Sequence, residues 1–413
     1  MHYCERAIFH LLWEEVLPFF NICKNFTRYE EGIPLRPFRE RLYFIDNLRV
    51  FVIFFVILLH TAMSYMVYAP EWWYVVDEQR NLFFDLFVLL TDVFIMPTMF
   101  FSAGYFVLPT LIGKGPLHFW SDKIRRIFLP WIFGVLFLAP FISYMIIFSR
   151  SDTPPDYLSF WFGPFWGPYF QHAHYWFLGV LSLFFLLLTL AYLVMPGSFE
   201  KGDRTYPSPL LFIVFLILTT GAFFVGNLFY HADAWVNVHY LFLLQPTRIG
   251  IYVCYFLLGA YAWRRWWFTS SGYQPSPLGW SVAAVVSGIV FLGYRLSFTN
   301  ATDILPKAGL GFLHAAFCMT MFFACLALFQ QFVNSDAYLW RRLAANSYGI
   351  YYFHMPVLLP LVYLMKPIAI PIGLKFGLLS VATFLICFVC LECVHKIRQL
   401  FPSQKQRLYS SVR

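Results

Sequence analysis

Charged side chains are scarce in this sequence. Only 12% of its 413 residues are Asp, Glu, Lys or Arg, whereas 60% are hydrophobic and 22% are aromatic. Soluble domains carry about 25% charged residues, so the composition excludes a chain whose whole surface faces water. The apolar residues form runs of about twenty, which is the length of a helix that crosses a bilayer. Barrel strands would instead alternate over about ten residues.

Several catalytic and binding motifs are also missing. The sequence has no Walker-type phosphate loop, no His-Glu-x-x-His and no Gly-x-Ser-x-Gly. It has no basic patch with interleaved stacking aromatics, so we expect no nucleic-acid partner. We also expect no bound metal. Six of the eight cysteines lie in apolar runs, where Cys acts as a small hydrophobic residue, and we expect no structural disulfides.

The apolar runs predict an all-α polytopic membrane protein, a bundle of about ten transmembrane helices. The predicted spans are 48–68, 82–108, 128–148, 175–195, 208–228, 241–263, 279–298, 309–333, 346–366 and 373–395. Residues 1–45 form the predicted N-terminal segment, which could include an interfacial helix. Residues 46–395 form the transmembrane domain, and residues 396–413 form a basic tail. We expect no cleavable signal peptide.

The basic residues determine the orientation of the bundle. The N-terminus, every second loop and the C-terminal tail together hold 22 of the 29 Lys and Arg residues, and this set is placed in the cytoplasm. Both termini are therefore predicted to be cytoplasmic. The opposite loops, including 69–81 and 149–174, are rich in Trp, Tyr and Pro. The net charge of +8 thus reflects membrane topology.

Two ionisable residues share one face of the first predicted helix. Arg49 and His60 are eleven residues apart, which is about three turns and roughly 16 Å of rise. Asp46 lies one turn before Arg49 and could pair with it. Ionisable groups in a bilayer are costly, so we interpret this face as a polar track with a cation at the inner surface and a base deeper in. The alternative is an interfacial Arg and a His that only hydrogen-bonds within the bundle.

Three cations meet the start of the third predicted helix on its cytoplasmic side. Lys123, Arg125 and Arg126 could hold phosphates, because Arg makes bidentate contacts to them. The residues alone favour the alternative, a basic flank that contacts lipid head groups.

Four other ionisable residues lie in or beside later apolar runs. Arg248 needs a partner or a water-filled cavity, unless its helix begins later and leaves Arg248 at the interface. His174 lies at an outer helix end. A lone membrane His often only donates a hydrogen bond between helices, and this interpretation is favoured for His314. For His354 the two interpretations are balanced, because Tyr351 and other polar residues crowd around it.

Five segments carry a resemblance to a known family. In chain order they are Phe44–Arg49 followed by His60, Phe100–Phe106, Lys123–Pro130, His174–Leu178 and Ser347–Pro356. Together they resemble acyltransferase family 3, bacterial inner-membrane enzymes that acylate sugars of envelope polysaccharides and glycans. The fourth segment is similar to the glucan-modifying branch. The chain departs from the family pattern at Val50, where Gly is usual, at Ala103, which separates Ser from Gly, and at Lys123, where Arg is usual.

The resemblance implies a multi-pass enzyme of the bacterial inner membrane. Its expected partners are membrane lipid, a cytoplasmic acyl-CoA donor (acetyl-CoA or succinyl-CoA) and an envelope glycan acceptor. The implied catalytic residues are Arg49 and His60, and the implied acyl-CoA-binding residues are Lys123, Arg125 and Arg126. The residues expected to support these or to lie on the acceptor side are Asp46, Ser102, His174, Trp176, Arg248, Tyr351 and His354.

The resulting hypothesis is O-acyl transfer from acyl-CoA to a sugar hydroxyl. A neutral His60 would act as the general base that takes the hydroxyl proton. In a variant of this route, His60 carries the acyl group covalently. The alternative from another class is a transporter or flippase of a small or lipid-linked amphiphilic solute. Inverted repeats would support it, and the sequence contains no convincing one.

Overall fold

The computed structural model describes residues 41–269, 271–298 and 303–400, with side chains up to residue 397. The predicted N-terminal segment before residue 41 and the predicted tail beyond residue 400 lie outside these residues. The described part of the chain is almost entirely helical. This confirms the prediction of an all-α polytopic membrane protein.

The helices are numbered in chain order. They are α1 Tyr43–Met63, α2 Leu82–Lys114, α3 Pro116–Phe148, α4 Tyr157–Phe162, α5 Trp176–Val194, α6 Pro209–Phe229, α7 Pro246–Arg264, α8 Pro277–Ser297, α9 Ile304–Phe332, α10 Tyr338–Met365 and α11 Ile372–Leu400. Short 3-10 turns lie at Pro164–Trp166, Ala173–Tyr175 and Pro196–Phe199. Between α6 and α7, strands β1 Val236–Val238 and β2 Phe242–Leu244 form a small antiparallel hairpin.

Nine of the described helices are long and apolar enough to cross a membrane, namely all of those above except α4 and α7. The predicted span 241–263 corresponds to α7, which has the length but not the apolar composition. It also begins later than predicted, at Pro246, because residues 242–244 pair as a strand. The ten predicted spans therefore correspond to nine clearly apolar helices and to α7, which is less apolar.

The start of the third span was predicted wrongly. α3 begins at Pro116 rather than at residue 128, so the basic cluster lies inside the helix and not at its start. Two stretches of α3, Ile124–Phe128 and Gly134–Leu138, are π-helical. The wider π turn lets the helix pass Pro130 without ending, although a proline there resembles a helix start in the sequence.

Hydrogen bonds connect segments that the basic residues assign to the same side of the membrane. On the opposite side, Arg150 donates hydrogen bonds to the carbonyl oxygens of Glu71 and Trp73 at 2.8 and 2.6 Å. On the predicted cytoplasmic side, the side chain of Asn47 donates to the carbonyl oxygen of Val333 at 2.7 Å. Each group of segments thus forms contacts within one end of the bundle.

α2 and α7 cross with their backbones in contact. A Cβ atom on Gly104 would lie 1.9 Å from the carbonyl oxygen of Phe256, and one on Gly259 would lie 2.2 Å from that of Phe101. Glycine is therefore required at both positions. The crossing brings the first turn of α7, which carries Arg248, against α2.

Candidate active site

Three histidines from three separate elements meet in the bundle. His60 comes from the last turn of α1, His174 from the 3-10 turn before α5, and His354 from the middle of α10. The Nδ1 atom of His60 lies 2.9 Å from the Nε2 atom of His354. The rings of His174 and His354 lie 4.5 Å apart between centroids. We call these three residues the histidine cluster.

The hydrogen bonds of the histidine cluster determine which nitrogens carry protons. His354 Nδ1 lies 2.6 Å from the carbonyl oxygen of Tyr351, and a carbonyl can only accept, so this nitrogen donates. In a neutral ring the Nε2 atom of His354 is then unprotonated and accepts the Nδ1 proton of His60. The Nε2 atom of His60 is therefore its unprotonated, basic nitrogen.

Exposure separates the three histidines. His354 and His174 are buried, whereas the side chain of His60 is partly exposed. Of the three rings, only that of His60 keeps some surface that its neighbours do not cover. The basic nitrogen and the accessible ring belong to the same residue.

His174 joins the start of α5 to α10. Its Nε2 atom donates to the carbonyl oxygen of Tyr352 at 3.1 Å, and the hydroxyl of Tyr175 donates to the same oxygen at 3.0 Å. The hydroxyl of Tyr351 in turn donates to the carbonyl oxygen of His174. The Nδ1 atom of His174 is buried and has no hydrogen-bond partner among the described residues. These bonds fix the position of His174 beside His354.

Trp73 covers one face of His60. The two rings are stacked, with centroids 5.8 Å apart and an interplanar angle of 14°. The indole N–H of Trp73 donates to the Ser64 hydroxyl at 3.1 Å. The loop that carries Trp73 is fixed by an ion pair between Asp77 and Lys375, with 2.9 Å between Oδ2 and Nζ. Trp73 therefore holds the His60 ring in one orientation.

Arg49 lies at the other end of α1. Its guanidinium pairs with Asp46 at 3.1 Å, which confirms the predicted pair, and Asp46 also binds Arg41 at 3.0 Å. The eleven-residue spacing keeps Arg49 roughly 16 Å from His60 along the helix axis. The two residues share the helix but do not form one site.

The three cations of α3 do not converge on one point. Lys123 lies against the bundle, with Nζ 4.8 Å from the centroid of the Phe185 ring. Arg126 pairs with Asp122 at 2.8 Å, one turn earlier. Arg125 is exposed. A phosphate group at this surface would meet Arg125 first.

Arg248 is buried with carboxylate partners and does not lie at a free interface. It pairs with Asp92 of α2 and, at 3.1 Å, with Asp233 of the α6–α7 loop. Asp233 also pairs with Arg295 at the end of α8. We call Asp92, Asp233, Arg248 and Arg295 the arginine network. His314 lines the same pocket and stacks on Phe223, with ring centroids 4.5 Å apart.

A comparison with protein-family models decides the family. A model described as an acyltransferase domain matches residues 42–392, which is nearly the whole chain. The chain belongs to acyltransferase family 3. No curated protein and no solved structure matches it significantly. The family and the apolar helices together make the chain a multi-pass membrane acyltransferase.

The remaining predicted residues of this family 3 acyltransferase lie in different surroundings. Ser102 donates to the carbonyl oxygen of Thr98 at 2.9 Å in its own helix, next to the α2–α7 crossing. Trp176 stacks on Tyr252 of α7 with 5.7 Å between centroids. Tyr351 belongs to the surroundings of the histidine cluster. Ser102 is thus a packing residue of the crossing, and Trp176 packs against α7 one turn after Arg248.

Sequence reasoning on the acyltransferase missed several polar residues at these sites. Asp92, Arg295 and Lys375 all lie inside predicted spans, so the cost of charge in a bilayer is a signal that could have found them. Trp73 and Asp233 lie in loops and carried no such signal.

Proposed function

We propose that this acyltransferase moves an acetyl or succinyl group from cytoplasmic acyl-CoA to a sugar hydroxyl of an envelope glycan in a bacterial inner membrane. The observation that supports this most is the hydrogen-bond relay from His60 through His354 to the carbonyl oxygen of Tyr351. The relay leaves a basic nitrogen on the one partly exposed ring of the cluster. His60 is the general base of the proposed reaction.

The reaction balances without a cofactor beyond the donor. The sugar hydroxyl donates its proton to Nε2 of His60 while its oxygen attacks the thioester carbonyl. The C–O bond forms and the C–S bond breaks, and His60 returns the proton to the departing CoA thiolate. His354 and the Tyr351 carbonyl accept hydrogen bonds in series, which stabilises the positive charge that develops on His60.

The donor would enter from the cytoplasmic end of the bundle. Arg125 is the exposed cation of α3, and Arg49 is paired with Asp46 at the inner end of α1. These cations would bind the CoA phosphates, because guanidinium groups match phosphate oxygens. The extended pantetheine arm would then cover the roughly 16 Å between Arg49 and His60.

The experiment is mass spectrometry of envelope glycans from cells with the wild type, with His60→Gln and without the protein. We expect one acyl unit per modified sugar in the wild type and a loss of roughly 10²- to 10⁴-fold in His60→Gln. His118→Ala is the matched control, because His118 is an exposed histidine that does not belong to the cluster. Wild-type acylation by an inserted His60→Gln variant would remove His60 as the base. An unchanged mass in every glycan would favour the transporter.

A second experiment separates general-base from covalent catalysis. Purified protein is mixed with labelled acyl-CoA in the absence of acceptor, quenched and digested. The proposed mechanism leaves the peptide of His60 unlabelled. An acyl-imidazole on His60 would show that the ring carries the group covalently.

A further inference from the structure

Two ion-pair systems of this chain differ in how they meet the solvent. The side chains of Lys375 and Asp77 are 1% and 0% exposed, so this pair is sealed. In the arginine network the Arg248 side chain is 7% exposed, whereas those of Asp92 and Asp233 are 35% and 45% exposed. The arginines thus lie behind carboxylates that face open space. The carboxylates of Asp92 and Asp233 are therefore accessible to a ligand, whereas that of Asp77 is not.

A small pocket lies at the arginine network, with about 10 Å³ of free space, which is room for about one water molecule. Its polar lining comes from Asp233, Arg248, Arg295 and His314, and the ring of Phe291 forms part of its apolar wall. Arg248 also has an Nε atom that is buried and lacks a hydrogen-bond partner among the described residues. The pocket is too small for a sugar ring, so a ligand of that size would contact the arginine network at the exposed carboxylates of Asp92 and Asp233.

Two tryptophans lie beside the arginine network. The rings of Trp176 and Trp235 meet edge to face at 5.4 Å between centroids, and both side chains are partly exposed. Trp176 also stacks on Tyr252, one turn after Arg248 in α7. Aromatic faces can cover the C–H faces of a sugar ring, and carboxylates accept hydrogen bonds from its hydroxyls. Together these groups match the chemistry of a carbohydrate.

The charge of the arginine network narrows the ligand class. Two arginines and two aspartates sum to zero, and each guanidinium already contacts a carboxylate. A phosphate or an anionic head group would have to compete with those carboxylates. A neutral, hydroxyl-rich ligand would only add hydrogen bonds to them.

The arginine network and the histidine cluster share one short segment. His174 and Trp176 are two residues apart, so their Cα atoms are at most about 7 Å from each other. A sugar that binds beside Trp176 is therefore close to the histidine that packs against His354.

We propose that the arginine network, Trp176 and Trp235 form the acceptor subsite, which binds a neutral sugar unit of the glycan. This inference rests on the proposed function and names where its acceptor binds. Asp92 and Asp233 accept hydrogen bonds from the sugar hydroxyls, and Trp235 covers one face of the ring. The neighbouring unit of the glycan then presents its hydroxyl to His60.

Direct binding tests the acceptor subsite without relying on catalysis. The probe is a radiolabelled linear β-glucan oligosaccharide, added to the full chain in lipid nanodiscs without acyl-CoA. We expect the wild type to bind it, Trp235→Leu and Asp233→Asn to bind at least tenfold more weakly, and Trp235→Phe to bind like the wild type. Asp152→Asn, which changes an exposed loop carboxylate, is the matched control for Asp233→Asn.

Each outcome of this experiment counts for or against the subsite. No binding by the wild type, or equal binding by Trp235→Leu and the wild type, overturns it. Trp235→Leu leaves every ion pair of the arginine network intact, so weak binding by this variant is not a consequence of a broken pair. His60→Gln separates the two proposals, because it should bind the oligosaccharide normally and fail to acylate glycans. Normal acylation by His60→Gln would defeat the proposed function and leave the binding result unchanged.

Discussion

The histidine cluster and the arginine network are connected by one short segment, because His174 belongs to the cluster and Trp176 stacks on Tyr252, one turn after Arg248. The two regions differ in how their polar groups are compensated. The histidine cluster has no formal charge when its rings are neutral, and its hydrogen bonds end on the main-chain carbonyls of Tyr351 and Tyr352. The arginine network has four charges that compensate each other. The comparison teaches that a neutral relay suits a base, whereas compensated charges that remain open suit recognition of a hydroxyl-rich ligand. Variants in the two regions should therefore separate the rate of the reaction from acceptor binding.

Loss of the relay should give the largest effect. His354→Phe removes the nitrogen that accepts the Nδ1 proton of His60. We expect kcat to fall on the order of 10³-fold, because general-base catalysis contributes about 10² to 10⁴. The KM for the acceptor should change little. Steady-state kinetics in nanodiscs measures both constants, and a raised acceptor KM with unchanged kcat would place His354 in binding.

The buried ion pair of Asp77 and Lys375 should affect the stability of the protein more than its binding of the acceptor. Lys375→Met leaves the buried Asp77 carboxylate without its ammonium partner, which typically costs about 3 kcal/mol or more. The double variant Lys375→Met with Asp77→Asn should recover part of this loss, since neither charge then remains. Thermal unfolding in detergent measures the difference. Lys366→Gln is the control, because Lys366 contacts the exposed Glu78 only loosely, at 3.9 Å. A Lys375→Met variant as stable as the wild type would refute the expected cost.

His172, which precedes the segment shared by the two regions, should give the smallest effect. Burial lowers the pKa of His172 to about 4, although its hydrogen bond to the Tyr240 carbonyl opposes this shift. The unfolded chain, with a His pKa of about 6.5, therefore binds the proton more readily. The stability contribution is complete above pH 6.5 and declines as the pH falls towards 4. His172→Gln should reduce the loss of Tm between pH 7 and pH 5, and an unchanged loss would contradict this origin.

The two regions also differ in how far the sequence predicts them. Spacing along a single helix predicts the Asp46–Arg49 pair and the shared face of Arg49 and His60. It does not predict that His60 meets His354, because these residues are 294 positions apart and no periodicity connects them. The sequence indicates only that each lies in an apolar run.

In the arginine network, the cost of burying charge predicts that Arg248 needs a partner but does not identify it. The same rule, applied to α2, could have identified Asp92 as a residue that also needs a partner. Asp233 does not, because loop carboxylates are ordinary in sequence and become partners only when α6 and α7 pack. The start of α3 was missed for a local reason, since Pro130 resembles a helix start and π-helical turns leave no clear pattern in the sequence.

The role of His60 as the base is tested most directly by a single turnover of the purified protein in nanodiscs. Labelled acyl-CoA and saturating glycan acceptor are mixed with the wild type or with His60→Gln, and label on the glycan is followed over time. We predict that His60→Gln binds acyl-CoA as the wild type does and transfers the label on the order of 10³-fold more slowly. Transfer by His60→Gln at the wild-type rate would contradict the assignment.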